Sequence, residues 1–366
     1  MGGFRRHCGA SCLCKGGSAC GRDGVGHVNH RMKQDVHHGV GHVSHTKRRK
    51  VDDSGSNIAA DGRGESGEWR LLSPVVTRSA SDVNRHIRDR CIDFEEADHR
   101  YILHRDTDMQ AEFPISVSGV LARYFREFDA EAVTKRWFDK WADDQCSSYF
   151  AVIREYRERG ESDEQIAQRI RDAWREKGLI ASAAGTRMHR NIELALGGEL
   201  YEGGSEEMAM FRRFVSEWLE PRGWRVYRLE WSIYCSRAMV AGQIDAIFVH
   251  DGVYYMVDWK RCSKPLDDQK GARYNRRGFW PLQSLLDNTC NHYFVQQNLY
   301  AAILELRYQM RVSRMWLCHI HPAYNSYQLI EVPDLREQAV TLLEQCARKR
   351  TVKMPWETEL PGHGVG

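Results

Sequence analysis

Along this chain large apolar positions are scarce at first, then recur with helical spacing, then fall into extended runs. Residues 1–68 are rich in Gly, His and Ser and hold almost no large apolar side chain, the composition of a disordered leader. From about Trp69 to Ala183 the pattern is first mixed, then helical. Pro114–Gly119 reads as a short strand or turn. After it Val120, Leu121, Tyr124, Phe125, Phe128, Val133, Trp137, Phe138 and Trp141 return at the period of a helix. Ser162 with Gln165 three residues on has the form of a capping box. The buried stripe that follows is Ile166, Ile170 and Trp174, and Gly178 is the expected end. A further helix is expected from Thr186 to about Leu196, closed by Gly197 and Gly198. Another runs from a Ser205 cap to a stop at Pro221 and Gly223. Three extended runs come next: Arg225–Tyr234, Val240–His250 and Val253–Lys260. Val312–Ile320 and Tyr327–Val332 read as strands, Asp334 caps a closing helix to about Arg350, and a loose tail follows Met354.

Asp251-Gly252 is a two-residue hairpin signal between the last two extended runs. With those residues at the turn, His250 faces Val253, and counting back places Asp245 opposite Asp258. Facing residues project to one side with Cβ atoms about 4.5–5.5 Å apart, and Lys260, two residues on, projects there too. Two ionised carboxylates at about 5 Å repel by about 3 kcal/mol at an effective dielectric near 20. Their neighbours Met256, Val257 and Trp259, and the run Ile244 to Val249, are apolar, so the charges need partners. A shared proton is one resolution. A divalent cation is the other; oxygen ligands suit Mg²⁺ or Mn²⁺, and Lys260 beside them favours this second resolution. On the helix expected from Thr186, His189 and Glu193 stand four apart, on one face.

Composition narrows the class. The 366 residues allow about two domains, and 11 Trp, 15 Tyr and 12 Phe supply a sizeable core. No run approaches about 18 apolar residues, so no membrane-spanning helix and no membrane partner are expected. With no secretory signal, the 11 Cys read as reduced thiols of an intracellular protein. A net charge of +3 is too balanced for nucleic-acid binding by bulk charge, which leaves a local basic surface. Lys264, Lys270, Arg273, Arg276 and Arg277, interleaved with Tyr274, Phe279 and Trp280, supply cations for phosphate and rings for bases. In the leader, Cys8, Cys12, Cys14 and Cys20 precede six His between His27 and His45. They could hold zinc, but their spacing fits no finger pattern. The run Lys47-Arg48-Arg49-Lys50 and the early Arg5, Arg6, Lys15 and Arg22 leave nuclear and mitochondrial addresses both open.

Gly242-Gln243-Ile244-Asp245, thirteen residues before the Asp258-Trp259-Lys260 run, resembles the PD-(D/E)XK nucleases, and within them the RecB-like exonuclease branch. Gly185 through His189 to Glu193 is similar to the branch's first motif, and Gln296 to Tyr300 is similar to its Gln-x-x-x-Tyr helix. The resemblance covers about residues 184–350, and the order and relative spacing of the four motifs agree. Segments around Ser116, Gly185 and Asp258 to Arg261 also resemble uncharacterised nuclease-like proteins of large DNA viruses and protists.

The resemblance implies an α/β fold, a restriction-endonuclease-like three-layer α/β/α sandwich with a central mixed sheet. That nuclease core would span 184–353, after a mostly helical N-terminal region (69–183) and before a flexible tail (354–366). It implies Asp245, Asp258, His189 and the Trp259 backbone carbonyl as ligands of Mg²⁺ or Mn²⁺. Lys260 would orient water and stabilise charge. Glu193 would serve a second ion or a water, and Glu230 would be a supporting carboxylate. Gln296 and Tyr300 would hydrogen-bond DNA or the site. The expected activity is hydrolysis of DNA, as single strands or duplex ends, by an exonuclease of repair, replication or recombination. The rival expectations are a binding module that lost the reaction, a nuclease acting on RNA, and an interaction protein organised by the Cys/His leader. Cys290, Cys318 and Cys346 lie far apart, so no iron–sulfur cluster is expected and they read as buried small hydrophobes.

Overall fold

The computed structural model of the chain describes residues 69–70, 84–96, 98–104, 111–272 and 275–351. The readings made for the leader, for Arg273 and Tyr274, and for the tail from residue 354 lie outside these residues. In chain order the strands are β1 (Trp69–Arg70), β2 (Ile92–Glu95), β3 (Arg100–His104), β4 (Ala111–Glu112), β5 (Ile115–Ser116), β6 (Tyr201–Glu202), β7 (Arg225–Cys235), β8 (Val240–His250), β9 (Val253–Lys260), β10 (Val312–His319) and β11 (Gln328–Glu331). The helices are α1 (Val117–Leu121), α2 (Ala130–Asp143), α3 (Phe150–Glu158), α4 (Asp163–Gly197), α5 (Glu206–Phe214), α6 (Thr289–Tyr308) and α7 (Arg336–Thr351).

The chain divides into two compact units. Trp137–Ile166 belongs to the first, where Phe138, Ile153 and Ile166 are buried and the Trp141 and Tyr149 rings lie 4.6 Å apart. The second comprises Gly62–Arg136 and Ala167 onward, and it holds the central sheet and the candidate site.

In the second unit the sheet is mixed and open. β8 and β9 form the hairpin that Asp251-Gly252 predicts, with His250 opposite Val253 and Ala246 opposite Val257. Both turn residues have positive φ, 47° and 74°, the conformation this turn demands. β10 joins β9 in parallel and β11 closes that edge antiparallel. β7 runs antiparallel to β8 along nearly its whole length. β8 therefore has one edge left, and two strands share it: β9 over Ala246–His250 and β5, in parallel, over Val240–Ala241. Between them, residues 242–245 have no ladder partner on that edge.

Helices cover both faces. α1, α6 and α7 bury Val120, Phe294, Leu299, Ile303 and Leu342 against Ile244, Ile247 and Met256 of the sheet. On the other face α4 and α5 bury Ile192, Leu196, Met208, Phe211 and Phe214 against Ala246, Phe248, Val257 and Trp259. The fold is thus mixed α/β with a six-stranded mixed sheet. Cys290, Cys318 and Cys346 are buried thiols, as small hydrophobes would be. No helix among the described residues is long and apolar enough to cross a membrane.

The caps behave as read. Ser162 N–H donates to Gln165 Oε1 at 2.8 Å, and Gln165 N–H donates to Ser162 Oγ at 3.3 Å. Ser205 Oγ accepts from Met208 N–H, and Asp334 accepts from Arg336 N–H. One expectation fails: Gly178 does not end a helix, and no new one starts at Thr186. α4 runs unbroken for 35 residues. A mid-helix glycine costs about 1 kcal/mol, less than the apolar stripe downstream, Met188, Ile192, Ala195 and Leu196, gains by packing. The residues before 184 also enter the central sheet, since β5 pairs with β8 and α1 packs under it. A half-buried Asp89 ties that region to β7, accepting from the buried Arg228 at 2.7 Å and from Trp231 Nε1 at 2.8 Å.

Candidate metal centre

The site lies where β9 and β8 part. The ladder stops at Ala246 and Val257, so Asp245 and Asp258, one step on, are not a paired rung. The Asp245 carboxylate takes over instead, its Oδ2 accepting the Trp259 amide at 2.8 Å. That bond fixes Asp245 at the fork. Gly242, at the start of the gap, lets the Tyr300 ring close against the backbone, because a Cβ there would overlap the ring.

Three side chains converge on the fork. His189, from α4, places Nδ1 3.4 Å from Asp245 Oδ2. Glu230 comes from β7 at a φ of +41°, between the Leu229–Ala246 and Trp231–Ile244 pairs of the β7–β8 ladder, whose register is the same on both sides of it. A positive φ on a non-glycine residue is costly, and it persists here beside two other ionisable groups. One donor atom each from His189, Glu230 and Asp245 all lie within 4.8 Å of one another. Burial pushes the Glu230 carboxyl up to about 9, helped by the charges of Asp245, Glu193 and Asp258. A carboxyl so displaced either keeps its proton or needs a cation. An imidazole with two carboxylates is a donor set that suits a borderline-hard divalent ion. The group fits such an ion.

Asp258 stands beside this trio with different partners. Its Oδ2 is 2.5 Å from Lys260 Nζ, and its Oδ1 accepts from Gln297 Nε2 at 2.7 Å. Burial and then Asp245 push the Asp258 carboxyl up to about 6, against the pull of Lys260. Burial lowers the Lys260 ammonium, but Asp258 and Asp245 more than offset that, and its pKa is raised. The ammonium also lies 4.5 Å from the Tyr293 ring centre, a cation–π contact. Lys260 lies on the same side as Asp258, as the strand alternation predicts, and the two form an ion pair. Asp245 is the second cause that pushes the Asp258 carboxyl up, so the two acids lie near one another, while the donor atoms within 4.8 Å of one another among the described residues come from His189, Glu230 and Asp245.

The other expected residues fall in separate places. Trp259 buries its indole in the opposite core, between Phe211 and Phe214, so only its backbone faces the fork. Glu193 lies at the rim and pairs with Arg190 at 2.6 Å. Gln296 donates to the Tyr300 hydroxyl at 3.1 Å. Tyr300 is 5% exposed, so it is a wall of the site and not a surface contact for a strand. Lys264, Lys270, Arg276 and Arg277 are exposed on the 261–288 connection. Arg276 sits 3.6 Å from Asp287, and Arg277 donates to Ser284 O at 2.8 Å.

Sequence reasoning passed over Gln297, Tyr293 and, in rank, Glu230. The Gln-x-x-x-Tyr pattern points to Gln296. Tyr293 and Gln297 are also four apart, and that second helical stripe meets Lys260 and Asp258. The Gln296 and Gln297 Oε1 atoms are both buried with no hydrogen-bond partner. Glu230 becomes visible only once β7 is set against β8.

No protein-family model matches the chain, and no curated protein matches it. Among solved structures it is similar to the one described as "Crystal structure of SSO0001", at 15% identity and a TM-score of 0.21. The likeness covers 39% of this chain and 56% of that one. A likeness at this score carries no argument, and the site stands on its own geometry.

Proposed function

We propose that the chain is a divalent-cation-dependent nuclease of the PD-(D/E)XK type that hydrolyses DNA phosphodiester bonds, and that its sheet is the core of a restriction-endonuclease-like three-layer sandwich. The observation that carries this reading is the fork itself: His189, Glu230 and Asp245 converge beside the Asp258–Lys260 pair, with His189 30% exposed at the open side. His189, Glu230 and Asp245 would hold Mg²⁺ or Mn²⁺, with Asp258 and the Trp259 backbone adjoining. Such an ion, when bound, supplies Lewis-acid neutralisation of phosphoryl charge.

The chain's own groups do the rest. Asp258, held by Gln297 from α6, fixes the Lys260 ammonium at 2.5 Å. That ammonium is a positioned cation and three-proton donor, able to orient a water and to stabilise charge growing on a phosphate oxygen. Tyr293 covers its far side and keeps bulk water away. Tyr300 and Gly242 form the wall behind Asp245. Exonuclease action in repair, replication or recombination is the expectation from resemblance and is tested with the chemistry.

The test compares the chain with Asp258→Ala and Lys260→Ala on linear and circular DNA with Mg²⁺ or Mn²⁺. We expect cleavage of linear DNA by the native chain and a loss of about 100-fold or more in each variant. Binding without cleavage by the native chain, or equal cleavage by the variants, would sink the reading.

A further inference from the structure

We propose that Phe279 and Trp280 form a base-stacking platform for an unpaired DNA strand on its way to the Lys260 centre, an inference that rests on the nuclease reading above. Both rings stand in solvent, Phe279 48% and Trp280 62% exposed. The segment that carries them is held on both sides. Phe279 N–H donates to Tyr124 O at 2.8 Å, Gly278 N–H to Leu285 O at 3.1 Å, and Asp287 N–H to Arg276 O at 2.8 Å. Leu282, two residues on, is fully buried. Gly278 has no room for a side chain, because a Cβ would meet Leu282 and Phe125 at under 3 Å. The chain thus builds a rigid turn whose two largest side chains contribute little to the core. A pair of exposed aromatics on a fixed turn is a feature that folding alone does not explain.

The charges around the rings select the occupant. The Arg126 guanidinium lies 6.0 Å over the Phe279 ring, and Lys264, Lys270, Arg276 and Arg277 are exposed on the same connection. Asp287 pairs with Arg276 and His292, and Asp267 and Asp268 are exposed on the same connection, so the cations left to meet phosphates beside the rings are Arg126, Lys264, Lys270 and Arg277. Rings interleaved with cations match a strand whose bases are unstacked and whose phosphates run alongside; a duplex offers no free base faces. The platform also connects to the centre. Gly278 packs on Phe125, whose ring centre is 4.0 Å from that of His292 on the first turn of α6. Tyr293, the next residue, covers Lys260. Asn288, which caps α6, and Asn291 within it donate to the Asp268 carbonyl at 2.7 and 3.0 Å, tying the connection to the helix.

Anisotropy titrations of the full chain in EDTA test this without turnover. The probes are a short labelled oligothymidylate, an abasic strand of the same length and a blunt duplex. The native chain should bind the base-bearing strand about tenfold or more tighter than the abasic one, the range expected for one stacked base. Phe279→Ala/Trp280→Ala should lose that preference while keeping its salt slope and its circular dichroism, because both side chains are exposed. Equal affinity of the native chain for the two strands, tighter binding of the duplex, or a preference that survives in the double variant would overturn the platform. Base-dependent binding by a chain that cleaves nothing would leave the platform standing and remove the nuclease reading. Cleavage without base preference would do the reverse.

Discussion

Glu230 carries more of the site's physics than any other single residue. It accepts a φ of +41° and sits among Asp245, Glu193 and Asp258, with burial holding its carboxyl up near 9 from 4.5. In the ion-free protein the native state therefore keeps a proton that the unfolded chain has released. Native stability from this group is fully present below about pH 4.5 and is lost as pH rises through about 9. Asp258, raised to about 6, adds a shallower contribution of the same sign. Urea titrations in chelator from pH 5 to 9 should show stability falling by at most about 1.4 kcal/mol per pH unit for each such proton. Glu230→Gln should flatten the upper part of that slope; an unchanged slope would show that Glu230 is not the group responsible. Glu230 was legible only as a supporting carboxylate, because strand alternation alone does not reveal a residue held at positive φ within a strand.

Among the elements, β8 decides where chemistry is placed. Its sequence predicts both its length and its turn, and the hairpin register follows from the turn. What the register does not contain is the sharing of one edge between β9 and β5, since β5 is only two residues long and lies far ahead of β8 in the chain, with several helices and strands between them. α4 shows the converse. Its glycines read as punctuation, yet packing of the stripe beyond them outweighs the local preference. Beyond its chain neighbours and the helix's own backbone, nothing lies within 4 Å of where a Cβ would stand at Gly178. Gly178→Ala should accordingly stabilise the protein by about 0.5–1 kcal/mol, measured by chemical denaturation. Destabilisation would mean the helix is broken there.

At the scale of the whole molecule, the trio and the Asp258–Lys260 pair are held by elements far apart in the chain: α4, β7, β8, β9 and α6. Gathering carboxylates at one point opposes folding, and an ion that binds only the folded arrangement offsets it by mass action. Mn²⁺ or Mg²⁺ at about a hundred times its dissociation constant should add about 2.7 kcal/mol, a rise of several degrees in Tm by scanning fluorimetry. Asp245→Asn should abolish most of that rise. A Tm indifferent to divalent ions in the native chain would count against the metal centre.

The amino-acid sequence by itself determined the strands β7 to β11, the helix caps at Ser162, Ser205 and Asp334, the hairpin register, and the shared side of Asp258 and Lys260, because each depends on residues near one another in the chain. Tertiary structure alone decided that Glu230 joins His189 and Asp245, that Gln297 grips Asp258, and that Tyr300 is a wall. Those outcomes depend on how a strand residue at positive φ, a forked sheet edge and a helix meet in space, and no local period encodes such a meeting.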